Sequence, residues 1–204
     1  NHLKAALAEK RVQIGIWLNL ASASAAELLA GSGFDWLLID AEHGPNSIPT
    51  ILAQVQAIGN RVPVVVRPPI GETWMIKQIL DLGVQTILVP MIEDAAHAAE
   101  MVRAIHYAPK GTRGVASAVV RASDYGRVRD YMATANDETC LILQVESRAG
   151  LRVLPDLLAM DGVDAVFIGP SDLAADMGYP GNAAAPEVQA AVDVALTAIM
   201  ASGK

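Results

Sequence analysis

The feature that most constrains the fold is a regular alternation of short apolar runs with longer segments of helical pattern. Six runs have the length and β-branched content of strands, and they begin at Gln13, Trp36, Val62, Thr86, Thr139 and Asp164. Successive starts are 23, 26, 24, 53 and 25 residues apart. Each interval therefore suits one βα unit, and the longest holds additional material. Because the runs are almost continuously apolar, both faces of each strand should be buried, as in a parallel sheet.

Helix start and stop signals lie between these runs. Asp94 is a candidate N-cap, Pro186 suits a first helical turn, and Gly83 suits a helix end. The longest interval contains a glycine- and arginine-rich segment over residues 108–126. Loops of that length in compact domains are usually functional or mobile.

The unit count leaves two architectures open. Six βα units suit either a doubly wound sheet or most of a (β/α)₈ barrel, and periodicity alone does not separate them. A complete barrel usually takes about 250 residues, so the last two units of a barrel would be missing from these 204 residues. We expect a single α/β domain over residues 1–204, incomplete at its C-terminus if it is a barrel.

The composition of the chain limits the kinds of partner that we expect the protein to bind. The net charge is −7 and no lysine or arginine run is present, which argues against nucleic acid or an anionic membrane surface as partner. No apolar stretch approaches the roughly 20 residues that span a bilayer, and the N-terminus is too polar for a signal peptide. The single Cys140 lies in an apolar run and suits a reduced, buried thiol. We therefore expect a cytoplasmic protein with a small-molecule ligand.

Polar and ionisable residues collect where the predicted strands end. In parallel α/β architectures this edge of the sheet binds ligands, whichever topology holds. The residues at these ends are Asp40, Glu42, His43, Arg67, Gln144, Glu146, Ser171 and Asp172.

Glu146 and Asp172 are the candidate metal ligands. A carboxylate in an apolar run is costly to bury unless it is paired or binds a cation, although a strand-end glutamate can also be solvated or bonded to a helix N-terminus. Two carboxylates, with water and substrate oxygens, suit a hard divalent ion such as Mg²⁺ or Mn²⁺. Ser171 or Asp172 could instead cap the helix that follows.

His43 and Arg67 are the candidate acid–base and anion-binding groups. His43 is the only histidine at a strand end, where an imidazole can serve as a base near neutral pH. Arg67 needs an anion, either a structural carboxylate or a substrate oxyanion. No lysine ends a strand, so a Schiff-base mechanism has no obvious nucleophile, whereas metal-assisted chemistry fits.

Several long motifs, in this order, resemble one family. They are GFDWLLIDAEHGPN, PVVVRPP, IKQILDLGVQTILVPMIEDA, YAPKGTRGVASA, LILQVESRAGL and DAVFIGPSDLAADMGYPGN. They are similar to the HpcH/HpaI aldolases, metal-dependent class II pyruvate aldolases of the 4-hydroxy-2-oxoheptanedioate type, from about Val12 to Lys204. The resemblance implies a (β/α)₈ TIM barrel of the phosphoenolpyruvate/pyruvate type, assembled as a homo-oligomer, usually a hexamer.

The resemblance also implies an activity in aromatic catabolism. Such enzymes reversibly cleave 4-hydroxy-2-oxo acids to pyruvate and an aldehyde, which is succinic semialdehyde for 4-hydroxy-2-oxoheptanedioate. By motif, His43 would be the catalytic base, Arg67 would stabilise the enolate, and Asp81 would pair with the histidine and raise its basicity.

The remaining implied roles concern binding. Arg67, Gln144, Ser171 (through its backbone amide) and Asp172 would contact the substrate, and Glu146 and Asp172 would ligate Mg²⁺ or Mn²⁺, with Co²⁺ as a further candidate.

Three alternatives stay open. Aldolases of 2-keto-3-deoxy sugar acids, of the rhamnonate or glucarate type, share nearly all of these motifs. A related carbon–carbon lyase would act on a coenzyme A thioester. A scaffold that binds oxo acids and metal without turnover is the non-enzymatic alternative.

Overall fold

The six strands form one parallel sheet whose spatial order is the chain order. The computed structural model describes all residues from 1 to 204. The strands are β1 (Gly15–Leu18), β2 (Trp36–Asp40), β3 (Val64–Arg67), β4 (Thr86–Val89), β5 (Cys140–Val145) and β6 (Ala165–Ile168), and each pairs in parallel with the next.

This topology separates the two architectures. A doubly wound sheet changes direction at a switch point, whereas here the order runs from β1 to β6 without reversal. The sheet is a half-barrel with β1 and β6 at its edges. The α/β class and the parallel sheet are confirmed, and the complete eight-stranded barrel is not formed by these residues.

Nine α-helices accompany the strands. They are α1 (His2–Ala8), α2 (Ala23–Leu29), α3 (Ile48–Ile58), α4 (Thr73–Asp81), α5 (Ala95–Ile105), α6 (Tyr131–Glu138), α7 (Arg148–Ala159), α8 (Pro170–Asp176) and α9 (Pro186–Ser202). The predicted cap is confirmed, because the Asp94 side chain accepts a hydrogen bond from the His97 amide at the start of α5. No helix combines the length and the apolar character needed to cross a membrane.

The two faces of the sheet bury different sets of side chains. Leu37 and Ile39 point towards the helices and join the main core. Leu38, between them, points to the concave face, as the two-residue period of a strand requires. There it packs with Val65 and with Leu3 of α1. Helix α1 thus covers part of the concave face, beside an apolar cavity of about 320 Å³.

The long segment between β4 and β5 contains local structure of its own. Tyr107 and Arg113 form an isolated parallel bridge, residues Arg121–Ser123 form a 3₁₀ turn, and α6 follows. Arg113 is buried, and its guanidinium stacks over the Tyr107 ring at 4.4 Å from the ring centroid. The extra length of this interval therefore holds a packed excursion and a short helix.

Candidate active site

Arg67 is held at the carboxyl edge of the sheet by a buried ion pair with Asp40. The two residues end adjacent strands and are directly paired in the β2–β3 register. Arg67 Nε donates to Asp40 Oδ1 and Nη2 donates to Oδ2, each at 2.9 Å. Both side chains are almost completely buried. This bidentate geometry fixes the plane of the guanidinium and uses two of its five N–H donors.

Three further groups surround the guanidinium. The Arg67 Cζ lies 4.4 Å from the centroid of the Trp17 ring, which suits a cation–π contact. Nη1 lies 2.8 Å from Glu42 Oε2 and 3.4 Å from Gln144 Oε1. One arginine thus contacts side chains from β1, the turn after β2, and β5.

Asp40 also orders the turn that carries His43. Its Oδ1 accepts hydrogen bonds from the amides of Glu42, at 3.1 Å, and His43, at 3.4 Å, a pattern by which aspartate stabilises turns. Asn19 Nδ2 donates to Asp40 Oδ2 at 2.6 Å. The carboxylate that neutralises Arg67 therefore also anchors the segment that presents the imidazole.

The two acidic residues of this cluster have opposite pKa shifts. Burial raises the pKa of Asp40, but the hydrogen bonds and charge of Arg67 and the two turn amides outweigh burial, and the pKa is lowered. Burial raises the pKa of Glu42, the Arg67 charge opposes it, and the nearby Glu146 carboxylate raises it further. Asp40 is therefore the permanent counter-ion of Arg67, and Glu42 is the carboxyl group more readily protonated.

His43 stands at the open edge of the cluster. Its side chain is 62% exposed, and Nε2 lies 3.8 Å from Glu42 Oε1. The imidazole is therefore accessible to a ligand while its backbone is fixed by Asp40. The predicted position of His43 beside the strand-end carboxylates is the position that the structure gives it.

Glu146 follows β5 and is buried with both oxygens engaged. Oε1 accepts a hydrogen bond from the Met91 amide at 2.8 Å, and Oε2 accepts one from Gln144 Nε2. Gly169, at the end of β6, lies against this carboxylate, because a Cβ added there would be 2.7 Å from Glu146 Oε2. Gln144 bridges the two halves of the site, since its amide also faces Arg67.

Asp172 and Ser171 lie in the first turn of α8, next to the end of β6. Both are exposed. The N-cap of α8 is Gly169, and no side chain caps the helix, so neither residue has the capping role that was the structural alternative. Because β5 and β6 are paired in register as far as Val145 and Ile168, Asp172 belongs to the same sheet edge as Glu146.

The donor chemistry fits a hard divalent cation. Carboxylate oxygens are the ligands that Mg²⁺ and Mn²⁺ prefer. The absence of a side chain at Gly169 leaves room for the Glu146 carboxylate, and Glu42 Oε2 is a further buried oxygen, paired with Arg67 Nη1 at 2.8 Å. No three His, Cys, Asp or Glu side chains gather as a metal-binding group. An ion held by Glu146 and Asp172 would thus complete its coordination with water and substrate oxygens, as Mg²⁺ commonly does.

Asp81 is not brought to His43 within this chain. It is the last residue of α4, which runs back from the carboxyl edge, so it lies near the amino end of β4. There Asp81 Oδ1 accepts a hydrogen bond from Arg113 Nη2 at 3.0 Å. The predicted Asp81–His43 pair is therefore absent within one chain, because the two residues occupy opposite ends of the sheet.

The sequence patterns assign no role to Trp17 or Asn19, and they leave the roles of Asp40 and Glu42 open. The pairing of Asp40 with Arg67 could have been predicted from the sequence, because two adjacent apolar strands end in opposite charges and a buried charge needs a partner. The contacts of Trp17 and Asn19 depend on the register between β1 and β2, which no local motif specifies.

Comparison with known proteins defines the class. A profile of the HpcH/HpaI aldolase/citrate lyase family matches residues 13–204. The chain belongs to this family of carbon–carbon lyases, as the motifs predicted.

Individual relatives show which members of the family this chain resembles. A 4-hydroxy-2-oxo-heptane-1,7-dioate aldolase of Escherichia coli is 54% identical over 205 residues, which cover 100% of this chain and 78% of the relative. The crystal structure of a HpcH/HpaI aldolase/citrate lyase family protein from Burkholderia cenocepacia J2315 superposes with a TM-score of 0.95 and 41% identity, covering 100% of this chain and 82% of that one.

A more distant structure shares the fold. The citrate lyase beta subunit of M. tuberculosis, complexed with oxaloacetate and magnesium, has a TM-score of 0.55 and 18% identity, covering 95% of this chain and 77% of that one. At this identity the likeness concerns the fold alone.

Proposed function

We propose that this protein cleaves 4-hydroxy-2-oxo acids, with 4-hydroxy-2-oxo-heptane-1,7-dioate as its main substrate, to pyruvate and an aldehyde. The proposal rests on three groups that meet at one edge of the sheet: the fixed guanidinium of Arg67, the accessible imidazole of His43 and the buried carboxylate of Glu146. Glu42 connects Arg67 with His43, and Gln144 connects Arg67 with Glu146. The substrate name comes from relatives that are 54% identical across the whole chain.

The proposed reaction breaks the C3–C4 bond of the substrate. The C4 hydroxyl loses its proton and becomes the aldehyde carbonyl, and the electron pair of the broken bond forms the enolate of pyruvate. Protonation at C3 then gives pyruvate. The reaction needs a base near the C4 hydroxyl and positive charge near the C2 oxygen.

The residues of the site suit these two requirements. His43 is accessible and is the proposed base. Asp40 fixes the guanidinium of Arg67 in one plane, so the remaining N–H groups of Arg67 are oriented before the substrate binds. The exposed first turn of α8 gives Ser171 and Asp172 access to the substrate, and Gln144 is the third polar contact.

Glu146 and Asp172 are the proposed ligands of a divalent metal, Mg²⁺ or Mn²⁺, with Co²⁺ as a further candidate. When bound, such an ion supplies a Lewis acid that polarises the substrate carbonyl. The hard oxygen donors and the space at Gly169 support this assignment.

The proposal includes a homo-oligomer, a hexamer by resemblance. Asp81 and His43 lie at opposite ends of the sheet in one chain. If Asp81 supports the imidazole as the resemblance implies, it must come from a second copy of the chain. A complete (β/α)₈ barrel is also part of the proposal, since β1 and β6 present unpaired edges.

A panel of substrates tests this function. Pyruvate release would be measured for 4-hydroxy-2-oxo-heptane-1,7-dioate and for 2-keto-3-deoxy sugar acids, and cleavage of a 3-hydroxyacyl-coenzyme A thioester would be followed by release of its shorter acyl-coenzyme A product, with wild type and His43→Ala. We expect the highest kcat/KM for the heptanedioate and a loss of about 10² to 10⁴-fold in the variant. Higher activity on a sugar acid or a thioester, or full activity of His43→Ala, would contradict the proposal.

A further inference from the structure

Gly169 lies where a side chain would displace the carboxylate of Glu146. A Cβ at this position would be 2.7 Å from Glu146 Oε2, 2.9 Å from Glu146 Cβ and 3.4 Å from Gln144 Nε2. The backbone of Gly169 has φ −95° and ψ 94°, a conformation open to any residue. Glycine is therefore required here by space and not by backbone conformation.

Gly169 also precedes the first turn of α8. It is the N-cap of this helix, a position where glycine is accepted nearly as well as serine, threonine, aspartate or asparagine. The helix has no capping side chain. Because α4, α6 and α9 also lack a capping side chain, the contact with the Glu146 carboxylate, and not the N-cap position, distinguishes Gly169.

The opposite oxygen of Glu146 is held by a strained residue. Met91 has φ +56°, which is unfavourable for a residue with a side chain, and its amide donates to Glu146 Oε1. The adjacent Ile92 amide donates to the Gln144 carbonyl at 3.1 Å, which ties this turn to β5. The Met91 amide and the Gln144 side chain therefore hold the Glu146 carboxylate, and the absence of a side chain at Gly169 leaves room for it.

We propose that Gly169 is a positioning residue that orients Glu146 for binding a divalent cation, with the Met91 amide fixing the other carboxylate oxygen. The inference deepens the proposed function and rests on it. Its physical basis is preorganisation: groups around a metal ligand that set its orientation typically account for 10- to 100-fold in metal affinity.

The affinity of the metal-free protein for Mn²⁺ tests the inference. Gly169→Ala should weaken Mn²⁺ binding by about 10- to 100-fold, measured by titration calorimetry. The matched control is Gly31→Ala, because a Cβ at Gly31 would meet only one atom, at 3.8 Å; this variant should bind Mn²⁺ as wild type does. Equal affinity of Gly169→Ala and wild type would overturn the inference.

A second readout separates positioning from a general loss of structure. Gly169→Ala should raise the Mn²⁺ concentration needed for half-maximal pyruvate release while leaving kcat at saturating Mn²⁺ within a few-fold of wild type. A lower kcat at saturating metal with unchanged Mn²⁺ affinity would contradict positioning through Glu146. Melting followed by circular dichroism reports whether the variant is folded.

A third test uses a variant in which the side chain of the metal ligand Glu146 is shorter, so that the clash with a side chain at position 169 is reduced. Glu146→Asp withdraws the carboxylate by one methylene, so Gly169→Ala should cost less affinity there than in wild type, and the two changes should be non-additive. If Gly169→Ala alone does not fold, the double variant should fold, because the shorter side chain relieves the clash with Glu146; a double variant that also fails to fold would overturn the inference. Additive losses would overturn the inference. A wild type that binds no Mn²⁺ would overturn the metal site itself, a result distinct from a wild type that binds and a variant that matches it.

Discussion

Arg67 brings a permanent charge to the end of a buried strand, and Asp40 neutralises it from the adjacent strand. The pair is bidentate and both members are almost completely buried. Removing one member of a buried pair leaves an uncompensated charge, which costs more than the pair itself contributes. Asp40 is therefore important for stability as well as for orienting Arg67.

Asp40→Asn should lower the free energy of unfolding by about 3 kcal/mol at pH 7. Denaturant titration would measure the loss. Asp193→Asn, the same change at an exposed residue of α9, should change the free energy by less than about 0.5 kcal/mol. A loss no larger at Asp40 than at Asp193 would contradict the assigned role.

The lowered pKa of Asp40 gives this prediction a pH dependence. A carboxyl group whose pKa is lower in the folded state contributes stability above its unfolded pKa, about 3.9, and loses it as pH falls through the folded value. The difference between wild type and Asp40→Asn should therefore be constant near neutral pH and shrink below about pH 4. A difference that shrinks between pH 7 and 5 would point to another titrating group.

At the scale of elements, the sequence predicts the strands better than the helices. Apolar runs of strand length begin within two residues of the observed strands, because parallel strands buried on both faces are apolar throughout. Helix α6 was not predicted: it buries only Ala135, so it has no apolar stripe to show a helical period. The sites at strand ends were predictable for the same reason as the strands, since polar residues interrupt apolar runs there.

Helix α1 tests the packing of the concave face. Leu3 is 2% exposed and packs against Leu38, Val65 and Leu88. Leu3→Ala should cost about 2 to 4 kcal/mol of unfolding free energy, whereas Leu28→Ala, at a side chain that is 72% exposed, should cost less than about 0.5 kcal/mol. Similar losses in thermal or denaturant unfolding for the two variants would show that α1 does not pack on this face.

At the scale of the whole molecule, the least predictable part of the site concerns residues that meet only by topology. The Arg67 cluster joins side chains from four strands, β1, β2, β3 and β5, through their register, and local motifs do not specify register. The position of Asp81 beside Arg113 depends on the direction in which α4 runs. Motif resemblance proposed Asp81 as a partner for His43, and the fold places Asp81 at the opposite end of the sheet within one chain.

Mixed oligomers test whether Asp81 acts from a second copy. Asp81→Asn and His43→Ala should each reduce pyruvate release by at least about 10²-fold. When the two variant chains are co-refolded or co-expressed as one oligomer, the mixed oligomer should regain part of the wild-type activity. Some of its sites would combine an intact His43 with an intact Asp81 from the neighbouring chain. No recovery in oligomers shown to contain both chains would contradict a shared site.

The most direct test of the central claim is pyruvate release from 4-hydroxy-2-oxo-heptane-1,7-dioate before chelation, after chelation, and after Mg²⁺ or Mn²⁺ is restored. Release should fall to background on chelation, return with the metal, and stay at background in Glu146→Gln under all three conditions. Undiminished release from the metal-free protein, or full activity of Glu146→Gln, would contradict the account.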